Sequence, residues 1–231
     1  MNHILDRPVW NALETRHAHL AAGGDLAKRY ATGMVPFAAA RDDSAESIAA
    51  LSELAAPDEM LIFLQSDEIL LPPGHVAEIT AQGVQMIAER WFPTFTDERV
   101  EPLGEADAAE MLALATLTKP GPFSLKSQNL GQFWGVRRDG RLVAMAGQRF
   151  RHPGISELSG VCTHPDARGE GLGRLLSLYV AGQICATGDQ PYLHAYATNA
   201  TAIALYESIG FRLRSIMHVA MARRIEAAHA A

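Results

Sequence analysis

The chain has 231 residues, 48% of them hydrophobic and 20% charged, a balance that suits a globular core in one large or two small domains and excludes a disordered chain. A formal net charge of −6 argues against a general nucleic-acid surface, and no run of about 18 apolar residues is present to span a membrane. The opening Met1-Asn2-His3-Ile4-Leu5-Asp6 lacks the charged start and apolar stretch of a signal peptide, and Cys162 and Cys185 have no spaced partners, so a cytoplasmic, reducing compartment is expected.

Asp6 followed by Pro8 reads as a helix start, and Trp10, Leu13, His17 and Leu20 continue an amphipathic spacing up to Gly23-Gly24. His17 and His19, two apart, face different ways on such a helix and make a poor metal pair. A short helical segment is expected over 27–30. Ser44 opens another helix, with Ile48, Leu51 and Leu54 on one face and Pro57 beyond its end. Residues 60–64 read as a buried strand, Leu71-Pro72-Pro73-Gly74 as a turn, and 83–88 as a second strand in which Val84, Met86 and Ala88 alternate.

Residues 94–102 are polar and proline-flanked, and the domain boundary is placed there: an N-terminal α/β region over 1–96, then a second domain over 97–231. Asp107 caps a helix carrying Met111, Leu112 and Ala115, and 118–128 is rich in Pro, Gly and Ser, a loop composition. Asp139-Gly140 between apolar runs at 132–136 and 142–148 signals a hairpin, and His152-Pro153-Gly154 turns the chain into 155–163, giving a three-strand antiparallel meander. A helix (171–186), a strand (192–197), a helix (201–209) closed by Gly210, and a strand (211–220) follow.

The most informative stretch is Arg168-Gly169-Glu170-Gly171-Leu172-Gly173-Arg174, which joins the β-prone segment 158–163 to the amphipathic helix. The first four N–H groups of a helix lack internal partners, and the helix end carries roughly half a positive charge, so a strand that turns through glycines into a helix forms an anion cradle. A nucleoside-triphosphate loop would need Lys-Ser/Thr after the last glycine, where Arg174-Leu175 stands. The Gly169-x-Gly171-x-Gly173 spacing is one residue too short for the dinucleotide fingerprint.

The stretch from Gly160-Val161-Cys162-Thr163-His164-Pro165 through Gly173 resembles the acyl-CoA-binding motif of the GNAT superfamily of N-acetyltransferases, in its FR47-like branch. Asn199-Ala200-Thr201-Ala202-Ile203-Ala204-Leu205-Tyr206-Glu207-Ser208-Ile209-Gly210-Phe211 resembles the block that closes such domains, at the distance expected for one intervening strand. The resemblance covers roughly 130–222. It implies an α/β acyltransferase fold: a mixed, mostly antiparallel sheet with splayed central strands flanked by helices. The N-terminal region precedes it and is open to being a diverged second half of the same kind.

The implied activity is direct transfer of an acetyl group from acetyl-CoA to a primary amine of a small molecule or peptide, with no metal, no nucleic acid and no membrane involved. The oligomeric state is left open, a homodimer included. By resemblance, Val161, Cys162 and Thr163 pair with the pantetheine arm through their backbone, as an added strand would. Arg168, Gly169, Glu170, Gly171, Leu172, Gly173 and Arg174 meet the pyrophosphate, and Asn199, Ala202 and Tyr206 border the cofactor arm. Asn199 is equally well read as a helix cap.

Tyr206 is the expected proton donor to the departing sulfur, with core packing beside Leu205 as the alternative. Glu157 is the expected general base, with His194 on the next strand as its rival. Without a bulge, Glu157, Ser159, Val161 and Thr163 share one face of their strand. Two other readings remain: another acyl chain or acceptor, as in glycine N-acyltransferase-like proteins, or a non-catalytic CoA-binding sensor.

Overall fold

The computed structural model describes residues 3–225. In chain order the elements are α1 (Pro8–Glu14), β1 (Ala21–Gly23), β2 (Ala27–Tyr30), β3 (Ala38–Ala40), α2 (Ala45–Ser52), β4 (Met60–Gln65), β5 (His75–Ala88) and β6 (Val100–Leu103). There follow α3 (Ala108–Thr118), β7 (Phe133–Arg138), β8 (Arg141–His152), β9 (Ile155–Thr163), α4 (Leu172–Ala186), β10 (Gln190–Tyr196), α5 (Ala200–Ile209) and β11 (Phe211–Arg224). No helix among the described residues is long and apolar enough to cross a membrane.

Two local expectations fail. The first helix stops at Glu14, and the chain regains only a 3₁₀ turn at Ala18–Leu20. Residues 27–30, expected to be helical, form β2, antiparallel to both β1 and β3. A four-residue segment is too short to nucleate a helix, so strand pairing decides its state. The buried ring of Tyr30 is also fixed there, its hydroxyl 2.8 Å from His17 Nδ1.

The chain folds into two compact units. One takes residues up to Thr32, Pro36–Gly83 and the chain from Ser215; the other takes Gly33–Val35 and Val84–Arg214. The boundary expected at residue 97 lies inside the second unit, because β5 and β11 each divide their residues between the two.

In the first unit β1, β2 and β3 form an antiparallel meander, α2 follows, and Phe37 and Ile62 bridge the chain before β3 to β4 in parallel. Ser44 caps α2, its Oγ accepting from the Ser47 N–H at 3.3 Å. Alanines at 27, 38, 40, 220 and 222 let Leu51 of α2 and Ala55 beyond its end meet Leu61 and Phe63 of β4. The last strand, β11, closes this unit antiparallel to β4, from His218 opposite Gln65 to Arg223 opposite Met60.

The second unit repeats that order: meander β7–β8–β9, helix α4, then β10 parallel to β9. Its strands run β5–β10–β9–β8–β7–β6. α4 covers one face through Leu172, Leu176, Val180 and Ile184, which pack with Leu158, Leu193, Tyr206 and Phe211. α3 covers the other through Met111, Leu114 and Ala115, which pack with Phe133, Met145 and Cys162.

Gly182 lies inside α4, where alanine normally gains about 1 kcal/mol. Here a Cβ would sit 2.7 Å from the Pro93 carbonyl oxygen. Gly182→Ala is therefore expected to destabilise the protein by a net ~1–2 kcal/mol, because overpacking against backbone outweighs the helical gain. A lower urea midpoint with an unchanged m-value is the expected reading, and a raised midpoint would contradict this packing.

Candidate active site

The site begins with two irregularities in the β8–β9 ladder. Gln148 pairs with Leu158 and Arg151 with Ser156, so Arg149 and Phe150 together oppose Glu157. Gly147 pairs with Ser159 and Met145 with Cys162, so Ala146 alone opposes Gly160 and Val161. Such bulges re-aim the side chains beyond them. Gly160 accepts the distortion with φ of +63°, a conformation that L side chains resist.

The second bulge reverses the alternation along β9. Leu158 and Val161 pack toward α4, whereas Cys162 packs under α3. The common face expected for Glu157, Ser159, Val161 and Thr163 is thereby broken after Ser159.

The parallel pairing of β9 with β10 runs from Ile155 opposite Gln190 to Leu158 opposite Leu193 and ends there. Both strands continue, β9 to Thr163 and β10 to Tyr196. Beyond Leu158, the backbone of β9 on that side has no ladder partner among the described residues. Glu157 stands one residue before the separation and His194 one residue after Leu193.

Glu157 is fully buried and saturated. Its Oε1 accepts from Arg149 Nη2 at 2.6 Å and lies 2.7 Å from His194 Nδ1; its Oε2 accepts from Arg149 Nε at 2.8 Å and the Phe150 N–H at 3.1 Å. Burial by itself opposes the charge, but the Arg149 guanidinium and His194 outweigh it and hold the carboxyl well below its usual range. A carboxylate with every acceptor position taken and little proton affinity is the opposite of what a general base requires.

The histidine tautomer follows from its neighbours. Arg214 Nη1 donates to Gln85 Oε1 at 2.7 Å, which turns the Gln85 amide nitrogen toward His194 Nε2 at 2.9 Å. An N–H pointing at Nε2 requires a lone pair there, so the proton sits on Nδ1 and is donated to Glu157. Burial, joined by the positive charges of Arg149 and Arg214, lowers the imidazole's proton affinity against the pull of Glu157. His194 is thus neutral at pH 7.

Arg149, Gln85 and Arg214 did not emerge from the sequence. Gln85 left one trace, a polar residue within the apolar run Val84-Gln85-Met86-Ile87-Ala88.

The glycine loop turns through two left-handed residues into α4. Gly169 (φ +82°) and Gly171 (φ +76°) are left-handed, and a Cβ on either would point into open space. Gly171 caps α4, so the free N–H groups of Leu172, Gly173 and Arg174 follow it directly. Gly173 is not left-handed, and a Cβ on it would meet Thr163 Oγ1 at ordinary contact distance. The Arg168 amide donates to the Pro165 carbonyl at 3.3 Å, which occupies one of the expected anion donors. Glu170, an unwelcome charge beside an anion, is paired with Arg138.

Asn199 Oδ1 accepts from the Ala202 N–H at 3.1 Å, the cap role. Tyr206 is buried, edge-on to Phe211, and burial raises its phenol above the ordinary value, with Cys162 and Glu157 contributing. Burial pushes the Cys162 thiol up to about 12, consistent with no nucleophilic role.

The FR47-like protein family matches residues 133–219. A crystal structure from Novosphingobium aromaticivorans DSM 12444, assigned to the GNAT family of acetyltransferases, is 41% identical over 96% of this chain and 99% of its own, with a TM-score of 0.91. A GCN5-related N-acetyltransferase from Kribbella flavida shares the fold at 18% identity and TM-score 0.63, over 100% of this chain and 98% of its own. A GCN5-related N-acetyltransferase-like protein from Streptococcus suis 89/1591 does so at 14% identity and TM-score 0.56, over 93% and 92%. With its separated strands, its glycine cradle and this kinship, the chain belongs to the GNAT family of acetyltransferases and is an acyltransferase enzyme.

Proposed function

We propose that the enzyme transfers an acetyl group from acetyl-CoA directly to a primary amine. The observation that carries this reading is the opening of β9 from β10 beside the left-handed Gly169 and Gly171. One edge offers strand backbone to an amide-bearing arm, and the loop offers N–H groups to phosphates. Acetyl-CoA supplies a thioester carbonyl open to attack by an amine. The backbone of Val161 and Thr163 holds the arm, the amides of 171–174 hold the pyrophosphate, and Tyr206 donates to the departing sulfur.

Proton acceptance falls to a pair rather than to Glu157 alone. Glu157 fixes the His194 ring with Nδ1 protonated; once the amine displaces the Gln85 N–H, Nε2 offers the lone pair that takes the amine proton, and Glu157 offsets the charge this places on the buried ring. Gln85 holds that nitrogen while no acceptor is present.

The repeated order of meander, helix and parallel strand supports reading the first unit as a diverged copy of the same fold. Its helix α2 begins after Asp42 and Asp43, with Glu46 in its first turn, where an anion cradle would need glycines. CoA therefore binds once per chain, in the second unit.

Calorimetry or thermal melting tests the cradle. CoA at 100 times its Kd is expected to stabilise the protein by roughly 2.7 kcal/mol. Gly171→Glu is expected to lose this shift; its side chain faces open space, and the left-handed backbone there costs about 1–2 kcal/mol of the variant's own stability. An undiminished CoA shift in that variant would move the cofactor elsewhere.

A further inference from the structure

Residues 66–74 carry the chain from β4 to β5 without a helix, whereas the corresponding link from β10 to β11 contains α5. The shorter link leaves strand surface uncovered. A cleft of about 490 Å³ opens there, within the first unit, among the link, β5 and β11. Ile69, Leu71, Ala77, Ala81 and Val219 give it a largely apolar wall, and Thr80, Gln82 and His218 add polar lining. Small-molecule pockets enclose roughly 300–1,000 Å³ behind apolar walls with a few polar groups, and this cleft lies inside that range.

The link is tied down along its length. Gln65 Nε2 donates to the Glu68 carbonyl at 3.0 Å, and Ser52 Oγ donates to the Pro73 carbonyl at 2.6 Å. Between them, Ile69 packs against the core that holds Leu51 and Phe63. The wall therefore exists before a ligand arrives, and little of it is left to order on binding.

Glu68 is the one acidic residue lining the cleft, and no lysine or arginine is among the described residues that line it. Its exposed carboxylate has no hydrogen-bond or ion-pair partner among the described residues. An anionic ligand would meet this charge with no cation to offset it, and a neutral one would leave it unanswered. We infer that the first unit binds a small molecule with a protonated amine and an apolar body, the body against the apolar wall and the ammonium against Glu68. The site is independent of the acetyl-transfer reaction assigned to the second unit.

Calorimetry with 4-phenylbutylamine, 4-phenylbutan-1-ol and 4-phenylbutyrate tests this, because the three share a body and differ in charge. The amine is expected to bind roughly 2- to 5-fold more tightly than the alcohol, the worth of an exposed ion pair, and the acid most weakly. Glu68→Gln is expected to bring amine and alcohol to equal affinity. Ala81→Leu, which adds bulk to the wall, is expected to weaken both. An amine can also enter the second unit as an acceptor, so the variants carry the assignment: amine affinity unchanged in both would put the binding elsewhere and overturn the inference. Equal affinities for amine and alcohol in the parent, or no binding of the amine, would do the same. Should Ala81→Leu fail to fold, Glu68→Gln decides alone, since it alters only an exposed side chain. A parent dimer that Ala81→Leu disperses and the amine does not would seat a second copy in the cleft, and that too would overturn the inference.

Discussion

Phenylalanine in place of Tyr206 is expected to lower kcat by roughly 10²–10³-fold, the usual loss when one donor to a developing charge is removed. The KM for acetyl-CoA should stay close to that of the parent. The ring is buried in the α4-side core and remains so in the variant, so packing is preserved and only the hydroxyl is lost. Burial lifts this phenol above its ordinary value, so it keeps its proton throughout the working range. The CoA thiol, with a pKa near about 8.5, is the stronger acid. In the proposed reaction the hydroxyl therefore steadies the departing thiolate by donating a hydrogen bond and does not hand over its proton outright. Steady-state kinetics with a working acceptor give the answer, and wild-type kcat in the variant would reduce Tyr206 to a packing residue.

The second large effect is on stability. Glu157→Ala removes a carboxylate that holds Arg149 through two charged hydrogen bonds and fixes His194, in a place with no solvent access. Breaking a buried pair from one side costs about 3–5 kcal/mol, because the remaining charge stays buried without compensation. The pH dependence follows from the direction of each shift. The Glu157 carboxyl is depressed in the folded protein, so its contribution is complete above the ordinary carboxylate range and fades as pH falls through the lower, folded value. His194 is also depressed, so the unfolded chain gains a proton below pH ~6.5 that the folded chain refuses, and stability starts to fall there first. Urea midpoints of parent and variant should differ most near neutrality and converge in acid. A constant gap across pH 3–7 would show that the lost contacts are not ionic.

The two ends of the site differ in how legible they were, and the reason is range along the chain. The cradle is local: Gly169, Gly171 and the first turn of α4 are consecutive, so the motif contains its own geometry. The same holds for Asn199, which caps the helix it precedes, and for Gly210 at that helix's end (φ +105°). The polar cluster is not local. Gln85 reaches His194 across 109 residues and Arg214 reaches Gln85 across 129. Arg149 arrives through a bulge, which a period of two cannot anticipate. The same limitation misplaced the face of Val161 and left residues 27–30 as a helix. A boundary drawn at residue 97 followed the polar, proline-flanked stretch there, which composition marks as a seam but which the fold passes through.

The division of β11 bears on how the protein is made. Strand residues Ser215–Arg224 complete the first unit against β4, yet they leave the ribosome after the whole of the second unit. Domains usually fold in the order they are synthesised. Here the order is inverted: the second unit has all its residues once Arg214 has emerged, while the first, started earliest, waits with the β4 edge open. That edge carries Leu61, Ile62, Phe63 and Leu64, an apolar run suited to unwanted strand pairing. A chain truncated after Arg214 should therefore resist protease over 84–214 and be cut over 36–83, and restoring the last strand should protect both.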